Sequence, residues 1–284
     1  MKVLTVFGDL IKYKLSLAVV LSSVTGYIIS GVFNIEDLLF MASGVFFLAS
    51  SSAVLNQYTE RETDKLMERT SKRPIPSGKI SGKTALILFV VLFISGIYFL
   101  AHNGINPVLT GILTMVLYNI VYTRMKRITI FSIIPGSLVG ALPPVIGYVS
   151  SGIDIFSPSI ISFSVIMFLW QIPHFWLLLV KYGKEYDQAG LATISVFLSE
   201  KQLKAVVFIW VLLSNATLLV FFFVTQLFGH IFALLYMFLN IIFISLFYVS
   251  LFSNSGKERL KGSIMLINSY NLLIMLLLIV LSVC

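Results

Sequence analysis

The chain has 284 residues, 58% of them hydrophobic and 11% charged, with a mean hydropathy of +0.99. A soluble domain carries roughly 25% charged residues, so disorder, a coiled coil, a collagen-like chain and a small disulfide scaffold are excluded, and the apolar excess must face lipid. The single cysteine, Cys284, allows no intrachain disulfide and no cysteine-based metal site. The net charge of +8 reads as the basic bias of cytoplasmic membrane loops, not as a nucleic-acid footprint.

A helix crossing a ~30 Å hydrocarbon core needs about 20 apolar residues. Nine such runs are predicted, near 15–33, 38–57, 84–101, 107–123, 131–150, 158–180, 204–226, 230–252 and 263–283. The expected fold is all-α, a polytopic membrane protein with one domain over 1–284. The first run is read as a retained span, because its apolar stretch is long for a signal peptide and lacks an Ala-x-Ala-like site. All 20 Lys and Arg residues fall in the N-terminus or in the loops after spans 2, 4, 6 and 8. The alternate loops hold Glu36, Asp37 and Asp154, with His102 and His230. This one-sidedness predicts a cytoplasmic N-terminus and a C-terminus outside. Two long cytoplasmic loops, near 58–83 and 181–203, suggest a pseudo-repeat of spans 1–4 and 5–8 with span 9 added.

At the end of span 2, Asn56, Glu60 and Asp64 are spaced i, i+4, i+8. If the helix continues past the membrane surface, they line one stripe about 12 Å long. Oxygen ligands on one helical face suit Mg²⁺, which typically takes one or two carboxylates plus phosphate oxygens and water. Lys65, Arg69, Lys72 and Arg73 follow, so acids for a metal precede bases for an anion. Alone, these bases would read as a solvated positive-inside loop. Polar side chains where an apolar helix meets water point to function.

The end of span 4 carries Tyr118, Asn119, Tyr122, Arg124, Lys126 and Arg127, which taken alone is an ordinary basic anchor. In span 5, Gly136, Gly140, Pro143, Pro144 and Gly147 would allow close helix packing. Span 6 holds Trp170, Gln171, Pro173, His174 and Trp176, and the following loop Glu185 and Asp187. A lone His in a span is usually a hydrogen-bonded core residue, but Gln171 and Trp170 beside it favour a binding pocket. The acids of this loop could complete a second metal site facing the first.

Five segments in order resemble the UbiA-type intramembrane prenyltransferases. They are Asn56-x-x-x-Glu60-x-x-x-Asp64-x-x-Met67-x-Arg69-Thr70-x-x-Arg73-Pro74, Tyr122-Thr123-x-x-Lys126-Arg127, Gly140-Ala141-x-Pro143-Pro144-x-x-Gly147, Trp170-Gln171-x-Pro173-His174-Phe175-Trp176, and Glu185-Tyr186-x-x-Ala189-Gly190. The Pro173-His174-Phe175 piece is most similar to the branch that prenylates haem. The resemblance implies a nine-helix bundle with a central cavity open to the cytoplasmic side of a prokaryotic cell membrane. It implies Mg²⁺-dependent transfer of a farnesyl group from farnesyl diphosphate to a vinyl group of haem b, with addition of water, giving haem O.

By that likeness Asn56, Glu60, Asp64 and Glu185 are the catalytic metal ligands. Arg69, Lys72, Arg73, Lys126 and Arg127 bind diphosphate, and His174 and Gln171 are candidate haem contacts. The implied partners are farnesyl diphosphate, haem b and membrane lipid, with no nucleic acid, and a downstream haem A synthase or terminal oxidase assembly factors. The chain departs from the family in having Glu60 where Asp is usual, Lys184-Glu185 where an acidic pair is common, and Leu191-Ala192-Thr193-Ile194 after Ala189-Gly190. Two alternatives stay open: a quinone or lipid precursor as acceptor, and a transporter of an anionic metabolite. The transporter fits less well, since no charge is predicted at mid-span.

Overall fold

The computed structural model describes residues 2–194, 197–225, 230–253 and 256–283. Its helices are α1 (Lys2–Leu10), α2 (Tyr13–Ile29), α3 (Ile35–Thr59), the short α4 (Arg61–Lys65) and α5 (Glu68–Ser71), α6 (Gly82–Ala101) and α7 (Ile105–Val116). A π turn over Leu117–Tyr122 joins α7 to α8 (Thr123–Ile128). Then come α9 (Ile133–Val149), α10 (Pro158–Gln188), α11 (Glu200–Thr225), α12 (His230–Phe252) and α13 (Gly256–Val283). The described residues contain no strand.

Each of the nine predicted runs meets an apolar helix, and the chain is an integral membrane protein. Among the described residues, eight helices are long and apolar enough to cross a bilayer, α7 and α8 counting as one with the π turn between them. The ninth, α2, has 17 residues, about 25 Å of rise and at the short end of the spanning range. It ends four residues before the predicted boundary, because the chain turns at Gly31 with φ 75°. Asn34 then opens α3, its side chain accepting from the amides of Glu36 and Asp37, and those two acids meet the positive end of the helix dipole. Pro158 begins α10, where its missing N–H costs nothing.

Between lipid-embedded helices there is little hydrophobic drive, and close packing does the work. A Cβ on Gly147 of α9 would run into the carbonyl oxygen of Ser23 in α2, and one on Gly26 into the carbonyl of Pro144. The small residues of span 5 therefore let two backbones touch. Gly44 and Gly96 do the same for α3 and α6, beside Leu48 and Leu100. One core gathers Tyr27, Met41, Val45, Leu48 and Leu100 from the first half. A larger one gathers Phe163, Phe221, Phe247, Ile267 and Leu278 from the second, with α9 contributing to both. Last in the chain, α13 packs back against α2 and α10, so the bundle closes on itself.

Candidate functional site

α3 stops at Thr59, because Glu60 leaves the helical region with φ −100° and ψ 4°. The chain resumes as α4. The predicted unbroken helix through Asp64 is therefore corrected: it bends at Glu60. The i to i+4 bonding survives the bend, since the Glu60 amide donates to the Asn56 carbonyl (3.0 Å) and the Asp64 amide to that of Glu60 (2.8 Å). The three side chains consequently stay on one inward face, only 2%, 4% and 2% exposed for Asn56, Glu60 and Asp64.

Buried carboxylates must be paired, and here each has its own cation. Arg73 donates to Asp64 Oδ2 at 2.7 Å, its loop turning back over α4. Lys126, from 66 residues further on, donates to Glu60 Oε2 at 2.6 Å. Asn56 Nδ2 donates to the same Oε2 at 2.9 Å. Lys126 also lies within ion-pair distance of Glu60 Oε1, which accepts no well-aligned hydrogen bond.

The π turn just before α8 belongs to this arrangement. Such turns add a residue to a helix and recur at functional sites. Here Thr123 Oγ1 donates to the Tyr118 carbonyl (2.9 Å), and Asn119 donates to Ser52 of α3. Tyr118 and Tyr122 stack at 5.9 Å, Phe175 lies 5.8 Å from Tyr122, and Lys126 passes over the Tyr122 ring at 5.5 Å. An aromatic wall thus adjoins the charged cluster.

The second polar segment is not in a loop, as predicted from residue 181: α10 runs on to Gln188, the chain turning only at Gly190 with φ 69°, so Glu185 and Asp187 lie in its last turns. Glu185 Oε2 accepts from the Arg69 amide at 3.4 Å, and the Arg69 guanidinium donates to the Tyr186 hydroxyl at 3.3 Å and lies over the Tyr182 ring at 5.1 Å. Arg127 donates to Thr63 Oγ1 (3.1 Å), and the Ala192 amide to the Lys126 carbonyl (3.0 Å). The two predicted polar segments are therefore brought together at one end of the bundle. Asp187 turns instead to Thr193 Oγ1 at 2.6 Å, and Lys72 stays exposed at the end of α5.

Among the described residues, no three His, Cys, Asp or Glu side chains gather closely enough to hold a metal by themselves. Glu60 and Asp64 nevertheless offer hard oxygen donors at the buried stripe, and Mg²⁺ needs only one or two carboxylates when phosphate and water supply the rest. The donor set fits a Mg²⁺–diphosphate group better than a free ion.

His174 lies deeper along α10. Its Nδ1 is buried without a hydrogen bond, and Asn268 of α13 is within its side-chain hydrogen-bonding reach. Gln171 covers Gly140 of α9, where a Cβ would strike its amide. A separate cavity of about 480 Å³ lies at the other end of the bundle, lined by Asn106, Thr110, Val149 and Asp154 among others. It holds none of these residues.

Two residues of the site carry no sequence signal of their own. Gln57, next to Asn56, is fully buried and donates to the carbonyls of Asp9 (3.0 Å) and Leu10 (2.9 Å). Lys12 follows that corner, and its Nζ donates to Asn56 Oδ1 at 3.2 Å. In the sequence, Lys12 looks like one more basic residue before a span.

Comparison with known proteins gives one family. The UbiA prenyltransferase family matches residues 19–270. The protoheme IX farnesyltransferase of Oleidesulfovibrio alaskensis is 35% identical over 195 residues, 68% of this chain and 69% of that one. The protoheme IX farnesyltransferase of Bdellovibrio bacteriovorus is 37% identical over 202 residues, 69% and 68% of the two chains. A solved UbiA homologue from Archaeoglobus fulgidus, bound to GPP and Mg²⁺, superimposes with a TM-score of 0.73 at 15% identity, over 98% of each chain. At that identity the likeness speaks for the fold.

Proposed function

The chain belongs to the UbiA prenyltransferase family, and on that premise we propose that it transfers a farnesyl group from farnesyl diphosphate to haem b, giving haem O. The likeness to two protoheme IX farnesyltransferases over about two thirds of each chain carries this reading. The C1–O bond of farnesyl diphosphate breaks, and C1 joins the terminal carbon of a haem vinyl group. Water adds its hydroxyl to the neighbouring carbon and releases a proton, while diphosphate departs.

The residues divide this work. Asn56, Glu60 and Asp64 would hold Mg²⁺, with Glu185 facing them from the end of α10. When bound, the ion would stabilise the negative charge of the leaving diphosphate. Arg69, Arg73, Lys126 and Arg127 take the same charge through donors already in place, which is worth most in a site shielded from water. Lys72, exposed at the rim, draws the anion in. Tyr118, Tyr122 and Phe175 give the reacting carbon an aromatic surface in place of water. His174 contacts the haem through its free Nδ1, and Gln171 fixes the α9–α10 spacing beside it. The one-sided distribution of Lys and Arg supports a cytoplasmic setting for the site and the N-terminus.

The test is turnover by purified protein with haem b and farnesyl diphosphate. A haem gaining the mass of one farnesyl and one hydroxyl group is expected with Mg²⁺, lost in EDTA and recovered when Mg²⁺ is added back. Turnover that ignores the chelator would contradict the metal assignment.

A further inference from the structure

We infer that Lys12, at the corner between α1 and α2, is a further anion-binding residue of this site, its ammonium taking an oxygen of the isoprenoid diphosphate. The inference rests on reading the cluster as a diphosphate site.

Three observations carry it. The first is a count of charges. Glu60 is paired with Lys126 and Asp64 with Arg73. Lys12 reaches only the neutral amide oxygen of Asn56. Three cations therefore face two carboxylates at the buried stripe, and the one without a carboxylate is Lys12. Lys12 is half-buried, and a cation partly withdrawn from water beside a buried stripe favours a counter-charge, which the substrate brings.

The second is backbone strain. Lys12 has φ 48° and is the one non-glycine residue with positive φ among the described residues. A lysine in the left-handed region is held there by its surroundings, and such strain clusters where ligands bind.

The third is the fixture that imposes it. Gln57 ties down the carbonyls of Asp9 and Leu10. Ser16 Oγ donates to the Ile11 carbonyl at 3.0 Å. Leu10 and Ile11 are buried at 1% and 6% exposure. A lysine serving only to mark the cytoplasmic side needs none of this, and the neighbouring Lys14 serves that purpose while exposed. The corner aims Nζ at Asn56, in the residue stripe that would hold the metal.

The measurement is equilibrium binding to the full chain in detergent, with inorganic diphosphate plus Mg²⁺ in one arm and haem b in the other. Lys12→Gln keeps a donor for Asn56 Oδ1 and removes the charge. It should weaken diphosphate binding about tenfold or more, leave haem affinity and the melting temperature unchanged, and raise KM for farnesyl diphosphate. Lys12→Arg should recover most of the loss. In the wild type, Mg²⁺–diphosphate should also protect Lys12, and not Lys14, from an amine-acylating reagent, a readout that needs no variant to fold. Wild-type diphosphate affinity in Lys12→Gln with no protection of Lys12 overturns the inference and leaves the enzyme assignment standing. A loss confined to the haem arm overturns it too, assigning Lys12 to a haem propionate. A wild type that binds no diphosphate overturns both readings.

Discussion

The two ion pairs of the site are asymmetric in what their removal does. The Asp64 side chain is 2% exposed and that of its Arg73 partner 23%, the Glu60 side chain 5% and that of Lys126 18%. Removing one partner of a buried pair strands the other charge, typically at about 3–5 kcal/mol. Asp64→Asn keeps the shape and an acceptor for Arg73, so it should abolish farnesyl transfer while the protein still melts cooperatively. His174→Ala should weaken haem binding and spare diphosphate binding. Affinity assays on the two variants check this, and equal loss of both ligands in His174→Ala would leave His174 a packing residue. At this scale the stripe of Asn56, Glu60 and Asp64 was legible, because i, i+4 spacing and an apolar-to-polar boundary are local. The partners were not. Nothing in spacing links Lys126 to Glu60 across 66 residues, and a corner lysine with positive φ looks like any basic residue before a span.

Among the elements, the long apolar helices were readable from composition alone. Their interruptions were not. The bend at Glu60 and the π turn at Leu117–Tyr122 each leave the hydrophobic pattern intact, so periodicity does not register them. Yet the π turn sits where α7 delivers Tyr122 and Lys126 to the site. The small residues of span 5 were visible as a packing motif, and the contacts now say which helix they meet. A methyl group on Gly147 would meet the Ser23 backbone, which no side-chain rotation relieves. Gly147→Ala should therefore separate α2 and α9 and cost about 1–3 kcal/mol, the usual range for overpacking. Gly262 of α13 offers the control: its added Cβ would meet only Ser250 Oγ at 3.5 Å. Gly262→Ala should be neutral or slightly stabilising, as Gly→Ala within a helix removes about 1 kcal/mol of propensity cost. Thermal melts of the two variants in detergent separate the cases, and equal melting temperatures would show that the α2–α9 contact is not tight.

For the whole molecule, the charge pattern and the fold agree. All Lys and Arg residues lie in the N-terminal segment or around the junctions after alternate predicted spans, and three of these junctions meet at the site, Ala192 hydrogen-bonding to Lys126 and Arg69 to Glu185. What sequence could not supply is closure. The return of α13 to α2 and α10 brings Asn268 to His174, a meeting of residues nearly 100 positions apart, and so places a polar pair from the end of the chain at the proposed haem contact. The most direct test is chemical. The protein is expressed in membranes of a host lacking its own haem-farnesylating enzyme, and the extracted haems are separated by reversed-phase chromatography with mass detection. The account predicts a new hydrophobic haem carrying one hydroxyethylfarnesyl group, absent with Asp64→Asn. Haem b alone, from wild-type protein shown to be present and folded, would contradict it.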